Sequence, residues 1–158
     1  MRLYRLCNPR YTSLDGQGAY LYGGRWNPPG VRVVYLSESI SLAALEIVVH
    51  LDLDEQELPP AYQLLILDVP DDSIETVDRS ALPADWQAPD RDVPAIQAMG
   101  QAWAERGETL LLEVPSVIIP REVNYVLNPM HPRFKDVTVV EEEPFRLEER
   151  LWNPNVRK

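Results

Sequence analysis

Short apolar runs separated by Gly, Pro and acidic residues dominate this chain, and apolar residues with helical spacing occur in only two stretches. Runs rich in Val, Ile, Leu and Tyr that are bounded by turn residues are typical of strands. On this basis the pattern predicts strands at residues 3–6, 31–36, 61–69, 109–114, 117–119 and 137–140.

The first helical stretch follows the second predicted strand. Leu42, Leu45 and Val49 recur at the spacing of one helix face, which predicts a helix with a buried stripe. Ser37 or Ser39 can cap its N-terminus, because a serine hydroxyl accepts a hydrogen bond from a free backbone N–H in the first turn.

The second helical stretch is predicted to begin after Asp92, which can serve as its N-cap, with Pro94 in the first turn. Gly107 is expected at its C-terminal end, where a left-handed conformation favours glycine. Its predicted apolar stripe consists of Ile96, Met99 and Trp103.

The order of these elements predicts a mixed α+β fold with a small sheet as its core, because strands outnumber helices and no βαβ repeat is visible. The 158 residues are expected to form a single domain, residues 1–158. Residues 52–60 form an acidic loop in this interpretation, and residues 70–91 an irregular surface excursion. The glutamates at 141–143 are expected at a solvated edge.

Composition excludes several classes of protein. A formal charge of −10 argues against a protein that binds the phosphate backbone of nucleic acids. One cysteine rules out an internal disulfide framework, and with two histidines it disfavours a metal site. The apolar runs are too short to span a membrane, and no secretory pattern follows the basic start, so a cytoplasmic location is the expectation.

Glu46 is the most informative residue, because it is a carboxylate within the otherwise apolar helical run at residues 42–49. A carboxylate held against apolar surface is unfavourable unless it is paired or functional. One interpretation places Glu46 at the polar edge of the helix, paired with His50 one turn later. The other makes it a catalytic group.

Upstream of this helix, Arg25 lies in a glycine-flanked loop and Tyr35 lies near the end of the next strand. A strand that leads directly into a helix can bring both side chains and Glu46 to one cleft. Taken singly, each has a structural explanation. Arg25 can stack on the neighbouring tryptophan, Tyr35 can be a core aromatic, and Ser116 can be a turn hydroxyl after proline.

Three motifs taken in order resemble those of the RES domain, which is named for its Arg, Glu and Ser. The opening at residues 3–6 also looks like the start of that family, and the similarity spans nearly the whole chain, least clearly at residues 70–106. The motifs are Gly24-Arg25-Trp26-Asn27 with the segment at 33–46, then Val114-Pro115-Ser116 with the segment to Pro120, then Asn124-Tyr125-Val126-Leu127 with the segment to Pro132.

The resemblance implies a bacterial toxin with a fold similar to that of ADP-ribosyltransferases, which consumes NAD⁺ as a substrate and needs no cofactor. It implies a Xre-type antitoxin as partner, and it leaves room for a homodimer within that complex. Together with the arginines of the cleft it suggests the hypothesis that the antitoxin neutralises the toxin by covering Arg5, Arg25 and Glu46, with inhibition through a loop held in an inactive shape as the alternative. Direct nucleic-acid and membrane contacts are not expected. Carried over by motif, the catalytic residues are Arg25, Glu46 and Ser116, and the further NAD-binding residues are Arg5, Tyr35 and Asn124.

The expected reaction breaks the bond between nicotinamide and ribose, and Glu46 would stabilise the cationic sugar that forms. Arg5 and Arg25 would hold the pyrophosphate, because a guanidinium is a forked, permanent cation. The acceptor stays open: water or phosphate would deplete NAD⁺, and a protein side chain would be ADP-ribosylated. A non-catalytic binding module is a further alternative, and a toxin acting on RNA is disfavoured by the acidity.

Overall fold

A single mixed sheet organises the protein, which this computed structural model describes at residues 1–51, 61–89 and 93–153. The described strands are β1 (Arg2–Cys7), β2 (Val34–Ser37), β3 (Tyr62–Asp68), β4 (Ile74–Thr76), β5 (Leu111–Pro115), β6 (Val123–Leu127) and β7 (Thr138–Phe145). They lie in the order β4-β5-β6-β2-β1-β3-β7, and only β4 and β5 are parallel neighbours. With helices packed on this sheet, the mixed α+β class is confirmed.

The described helices are α1 (Gln17–Tyr22), α2 (Ile40–Val49) and α3 (Pro94–Arg106). Ser39 caps α2, because its Oγ accepts a hydrogen bond from the backbone N–H of Leu42 at 3.1 Å. Of the two serines considered as caps, Ser39 is therefore confirmed. The apolar stripe predicted for α2 is wrong beyond Leu42: the buried face consists of Leu42, Ala43 and Ala44, Leu45 is half-buried and Val49 is 58% exposed. Gly107 ends α3 with φ of 61°, as predicted, and Val93 occupies its N-cap position. Asp92 lies outside the described residues, as does the acidic loop 52–60.

Alternating residues of the strands supply two apolar clusters on the two faces of the sheet. Leu111 packs into one cluster and Leu112 into the other, as the two-residue period of a strand requires. The second cluster includes Ile96 and Trp103 of α3, both almost fully buried. Met99 packs against that cluster from its margin.

Several predicted boundaries need correction. The strand predicted at 31–36 begins only at Val34, and the predicted strand at 117–119 is wrong. The side chain of Ser116 accepts hydrogen bonds from the backbone N–H groups of Ile118 and Ile119, both at 3.1 Å, so the chain turns there instead of extending. Strand β6 and the short helix α1 were not predicted.

The excursion at residues 70–91 is irregular over most of its described length, to residue 89, but it contains β4 and a single 3-10 turn at Arg79–Ala81. The last strand, predicted at 137–140, extends through the three glutamates as β7, an exposed edge of the sheet. Those glutamates are solvated, as expected. No helix in the described residues is long and apolar enough to cross a bilayer.

Candidate active site

A cavity of about 540 Å³ opens beside the middle of the sheet. It is bounded by the central strands β1, β2, β5 and β6, by α2 and by the loop that precedes β2. Five of the six predicted site residues line it: Arg5, Arg25, Tyr35, Glu46 and Asn124. The sixth, Ser116, is fully buried behind the cavity wall.

The two carboxylate oxygens of Glu46 have different environments. Oε1 accepts a hydrogen bond from Asn124 Nδ2 at 2.6 Å and another from Ser116 Oγ at 3.1 Å. No described residue donates a hydrogen bond to Oε2. Because the side chain lines the cavity and is only half-buried, Oε2 is available to a ligand. Glu46 is thus a carboxylate fixed at one oxygen and open at the other.

Ser116 orients Glu46 from behind. Its Oγ accepts the N–H groups of Ile118 and Ile119, so its own proton is free to point at Glu46. This brings together a helix residue and a turn residue that are 70 positions apart in sequence. Ser116 is therefore a positioning residue.

The loop that carries Arg25 is rigidly held. Asn27 is fully buried, and its Nδ2 donates to the carbonyl groups of Ala19 at 2.9 Å and Val31 at 3.1 Å. Gln97 of α3 donates to the carbonyl of Gly24 at 3.0 Å. A side chain at Gly24 would lie within 2.6 Å of the Tyr35 hydroxyl, so the loop can approach Tyr35 closely only with glycine there.

Tyr35 links this loop to β2. Its hydroxyl donates to Asn27 Oδ1 at 2.7 Å and accepts the backbone N–H of Trp26 at 2.9 Å. Burial raises the pKa of Tyr35 well above its ordinary value of 10, so the phenol stays neutral. Both hydrogen bonds of its hydroxyl are made within the protein, so its ring is the part of the side chain that can contact a ligand in the cavity.

The guanidinium of Arg25 binds backbone carbonyl groups of the segment that leads to Pro89. Nη1 donates to Trp86 at 3.1 Å, and Nη2 donates to Ala88 at 2.8 Å. Pro89, which follows, lines the cavity as well. Arg25 therefore anchors the segment 86–89, which reaches the cavity at Pro89, while remaining half-buried itself.

Arg5 enters the cavity from β1. Its Nε is buried and has no hydrogen-bond partner among the described residues. Because this atom has almost no accessible surface, it does not face the open cavity, and Arg5 lines the cavity through other atoms. Nearby Cys7 is buried, and desolvation raises the pKa of its thiol despite the positive charge of Arg5. That thiol is poorly suited to nucleophilic catalysis.

Sequence reasoning missed three residues of the cavity as site residues. His50, Tyr62 and Ser37 line it, and Ser37 lies opposite Asn124 in the sheet. His50 had a signal, since it follows Glu46 by one helical turn, whereas Tyr62 reaches the cavity only through pairing of β1 with β3. In the described residues, no group of three or more His, Cys, Asp and Glu side chains could hold a metal ion.

The sequence matches the family model described as the RES domain over residues 2–148, which includes every residue of the site. The chain belongs to the RES domain family. The resemblance inferred from the three motifs is thereby confirmed.

Two curated relatives of this RES-domain protein are each 42% identical to it. One is "Toxin Res" of Photorhabdus laumondii subsp. laumondii, aligned over 96% of this chain and 97% of its own length. The other is "Prs ADP-ribosylating toxin" of Sphingobium sp. (strain YBL2), aligned over 78% of this chain and 77% of its own length.

A solved structure has the same fold. It is a chain in the crystal structure of the M. tuberculosis MbcT–MbcA toxin–antitoxin complex, with a TM-score of 0.76 over 97% of this chain and 87% of that one. At 23% identity, this similarity concerns the fold.

Proposed function

We propose that this RES-domain protein is a toxin that consumes NAD⁺ by breaking the bond between nicotinamide and ribose. The observation that supports this proposal most directly is the carboxylate of Glu46, which accepts hydrogen bonds at Oε1 and lies in a cavity that Arg5 and Arg25 also line. The volume of about 540 Å³ lies within the range of small-molecule sites. The names of the two relatives support the toxin role.

Glu46 has the chemistry that the bond cleavage needs. When the C–N bond breaks, its electron pair leaves with nicotinamide and the ribose becomes cationic. A fixed carboxylate stabilises that charge, and its free Oε2 can accept hydrogen bonds from ribose hydroxyls. Preorganisation matters here, because Ser116 and Asn124 already hold Oε1 before the reaction starts.

The two arginines and Tyr35 suit the rest of the substrate. Arg5 lines the cavity, and a guanidinium is a forked, permanent cation that suits a pyrophosphate. Arg25 adds a second cation at the same cavity, so the charge of these residues with Glu46 is net positive although the whole protein is acidic. The ring of Tyr35 offers an apolar surface to nicotinamide or ribose.

The acceptor distinguishes two versions of this function. If water or phosphate attacks the sugar, a C–O bond forms and the product is ADP-ribose or its 1-phosphate, so NAD⁺ is depleted. If a protein side chain attacks, the product is a mono-ADP-ribosylated protein. The name of the Sphingobium relative favours the second version, which we retain as the alternative.

An antitoxin is the proposed protein partner. The similar fold in the MbcT–MbcA complex supports an antitoxin, and the Xre type follows only from the family resemblance. A segment with carboxylate groups could cover the cavity by pairing with Arg5 and Arg25. Because the protein carries a charge of −10, we expect contact with DNA to fall to the antitoxin.

The test is release of nicotinamide from NAD⁺ by the purified protein, with and without phosphate, beside an assay for labelled ADP-ribose on protein. Glu46→Gln should reduce turnover by roughly a hundred- to a thousandfold and keep the fold, since glutamine can still accept both hydrogen bonds at Oε1. Glu141→Gln, on the exposed edge strand, is the matched control. Turnover by Glu46→Gln at the control rate would refute the role of Glu46.

A further inference from the structure

Ser37 and Asn124 are brought together by strand register. The two residues lie directly opposite each other in the antiparallel pair β2–β6, so their side chains project from the same face. Ser37 Oγ donates to Asn124 Oδ1 at 2.8 Å, across 87 positions of sequence. Ser37 is buried, with 6% of its surface exposed, on the side of the sheet where the cavity lies.

The direction of these hydrogen bonds follows from Glu46. An ionised carboxylate only accepts hydrogen bonds, so the amide of Asn124 must turn its Nδ2 toward Glu46. Its Oδ1 then faces Ser37, whose hydroxyl must be the donor. The chain of donors therefore runs from Ser37 through Asn124 to Glu46.

We infer that Ser37 is a positioning residue that acts on Glu46 through Asn124. The expected change in kcat rests on the proposed function. The expected change in the orientation of the Asn124 side-chain amide does not. Without the Ser37 hydroxyl, Oδ1 loses its donor and the amide is free to rotate. In the rotated form Oδ1 would oppose Oε1 of Glu46, which removes one of the two hydrogen bonds that fix the carboxylate.

The kinetic test compares Ser37→Ala, Ser37→Thr and Asn124→Ala. Ser37→Ala should lower kcat about five- to tenfold, the equivalent of one neutral hydrogen bond, with KM for NAD⁺ unchanged. Ser37→Thr keeps the hydroxyl and suits a strand, so it should retain wild-type kcat. Ser41→Ala is the control, because Ser41 is exposed on α2 and does not line the cavity.

The double variant Ser37→Ala/Asn124→Ala decides whether Ser37 acts through Asn124. If it does, adding Ser37→Ala to Asn124→Ala should cause no further loss of kcat. Losses that multiply in the double variant, or a rise in KM with kcat unchanged, would overturn the inference, because Ser37 would then contact the substrate directly.

A measurement without substrate separates this inference from the proposed function. The side-chain amide signal of Asn124 in a ¹⁵N–¹H spectrum should shift and exchange faster with water in Ser37→Ala, and stay unchanged in Ser37→Thr and Ser41→Ala. An unchanged signal in Ser37→Ala would overturn the inference. If the amide signal responds while the wild-type protein leaves NAD⁺ intact, the positioning role stands and the proposed function fails.

Discussion

The guanidinium of Arg25 is engaged before any ligand arrives. Its two terminal nitrogens hold the carbonyl groups of Trp86 and Ala88, so the residue fixes the segment that reaches the cavity at Pro89. Under the proposed function the same cation attracts the pyrophosphate. A substitution therefore has one effect on this segment and another on substrate binding, and the two can be measured separately.

Arg25→Lys should raise KM for NAD⁺ roughly tenfold or more and loosen residues 86–89. A lysine ammonium is a point charge on a flexible stem and cannot bridge two carbonyls in a fixed fork. Hydrogen exchange followed by mass spectrometry should show faster exchange of the backbone amides of residues 86–88. Arg10→Lys, at an exposed position, serves as the control. Wild-type KM and exchange in Arg25→Lys would show that charge alone suffices.

At the scale of elements, α3 supports the Arg25 loop through close packing. A Cβ atom at Gly100 would lie 1.8 Å from the carbonyl oxygen of Trp26, so the helix can reach the loop only without a side chain there. Gln97 makes its hydrogen bond to the same loop one turn earlier. The helix and the loop that holds Arg25 thus form one packed unit.

Gly100→Ala should destabilise the protein by about 1–3 kcal/mol or more, although alanine is the better helix former. Gly18→Ala is the matched control, since Gly18 lies in α1 and has nothing within 4 Å of the added Cβ. It should be neutral or stabilising by up to about 1 kcal/mol. Urea denaturation measures both. Equal effects at the two glycines would contradict the packing argument.

Elements with a local signal could be predicted from sequence. The serine cap and the apolar run predict α2, although not which residues it buries, and short apolar runs predict β1 and β3. Strand β6 was not predicted, because Asn124 and the flanking turns interrupt its apolar pattern. Pairing with β2 and β5 stabilises it as a strand. Residues 117–119 looked like a strand because nothing local reveals that the Ser116 side chain captures their N–H groups.

The site also combines residues that local motifs identify with contacts that only the tertiary structure creates. The family motifs named six residues, and the structure brings five of them to one cavity and the sixth into contact with Glu46. The contacts of each residue depend on the tertiary structure: Ser116 donates a hydrogen bond to Glu46, and Arg25 binds the backbone carbonyl of Trp86. The contact of Ser37 with Asn124 could not be predicted, because it arises from the register of β2 and β6, which no local sequence pattern encodes.

At the scale of the whole molecule, buried phenols make folding sensitive to alkaline pH. Burial is the main cause that raises the pKa of Tyr35 above 10 and that of Tyr125 to about 12, with the Glu113 carboxylate adding to the second. Well below pH 10 both phenols are neutral in the folded and in the unfolded chain. Above it they ionise in the unfolded chain first, so stability falls as pH rises further.

The urea midpoint should therefore decline from about pH 10 upward, and Tyr125→Phe should reduce the slope of that decline. Phenylalanine removes the titrating group, although it also loses the hydrogen bond to Glu113 and lowers stability at neutral pH. Tyr22→Phe is the control, because Tyr22 is 83% exposed. Identical slopes for Tyr125→Phe and the control would contradict the assignment.

The separation in sequence between Glu46 and its two donors has a consequence for the cell that makes this protein. Glu46 is synthesised 70 residues before Ser116 and 78 before Asn124, so the ribosome adds the donors about 4 to 16 s after the carboxylate. Until β6 pairs with β2, the growing chain contains both arginines and the carboxylate in unassembled form. Premature termination before β6 yields fragments in which Glu46 lacks the Asn124 donor, so under the proposed function we expect such fragments to be less toxic than the full chain.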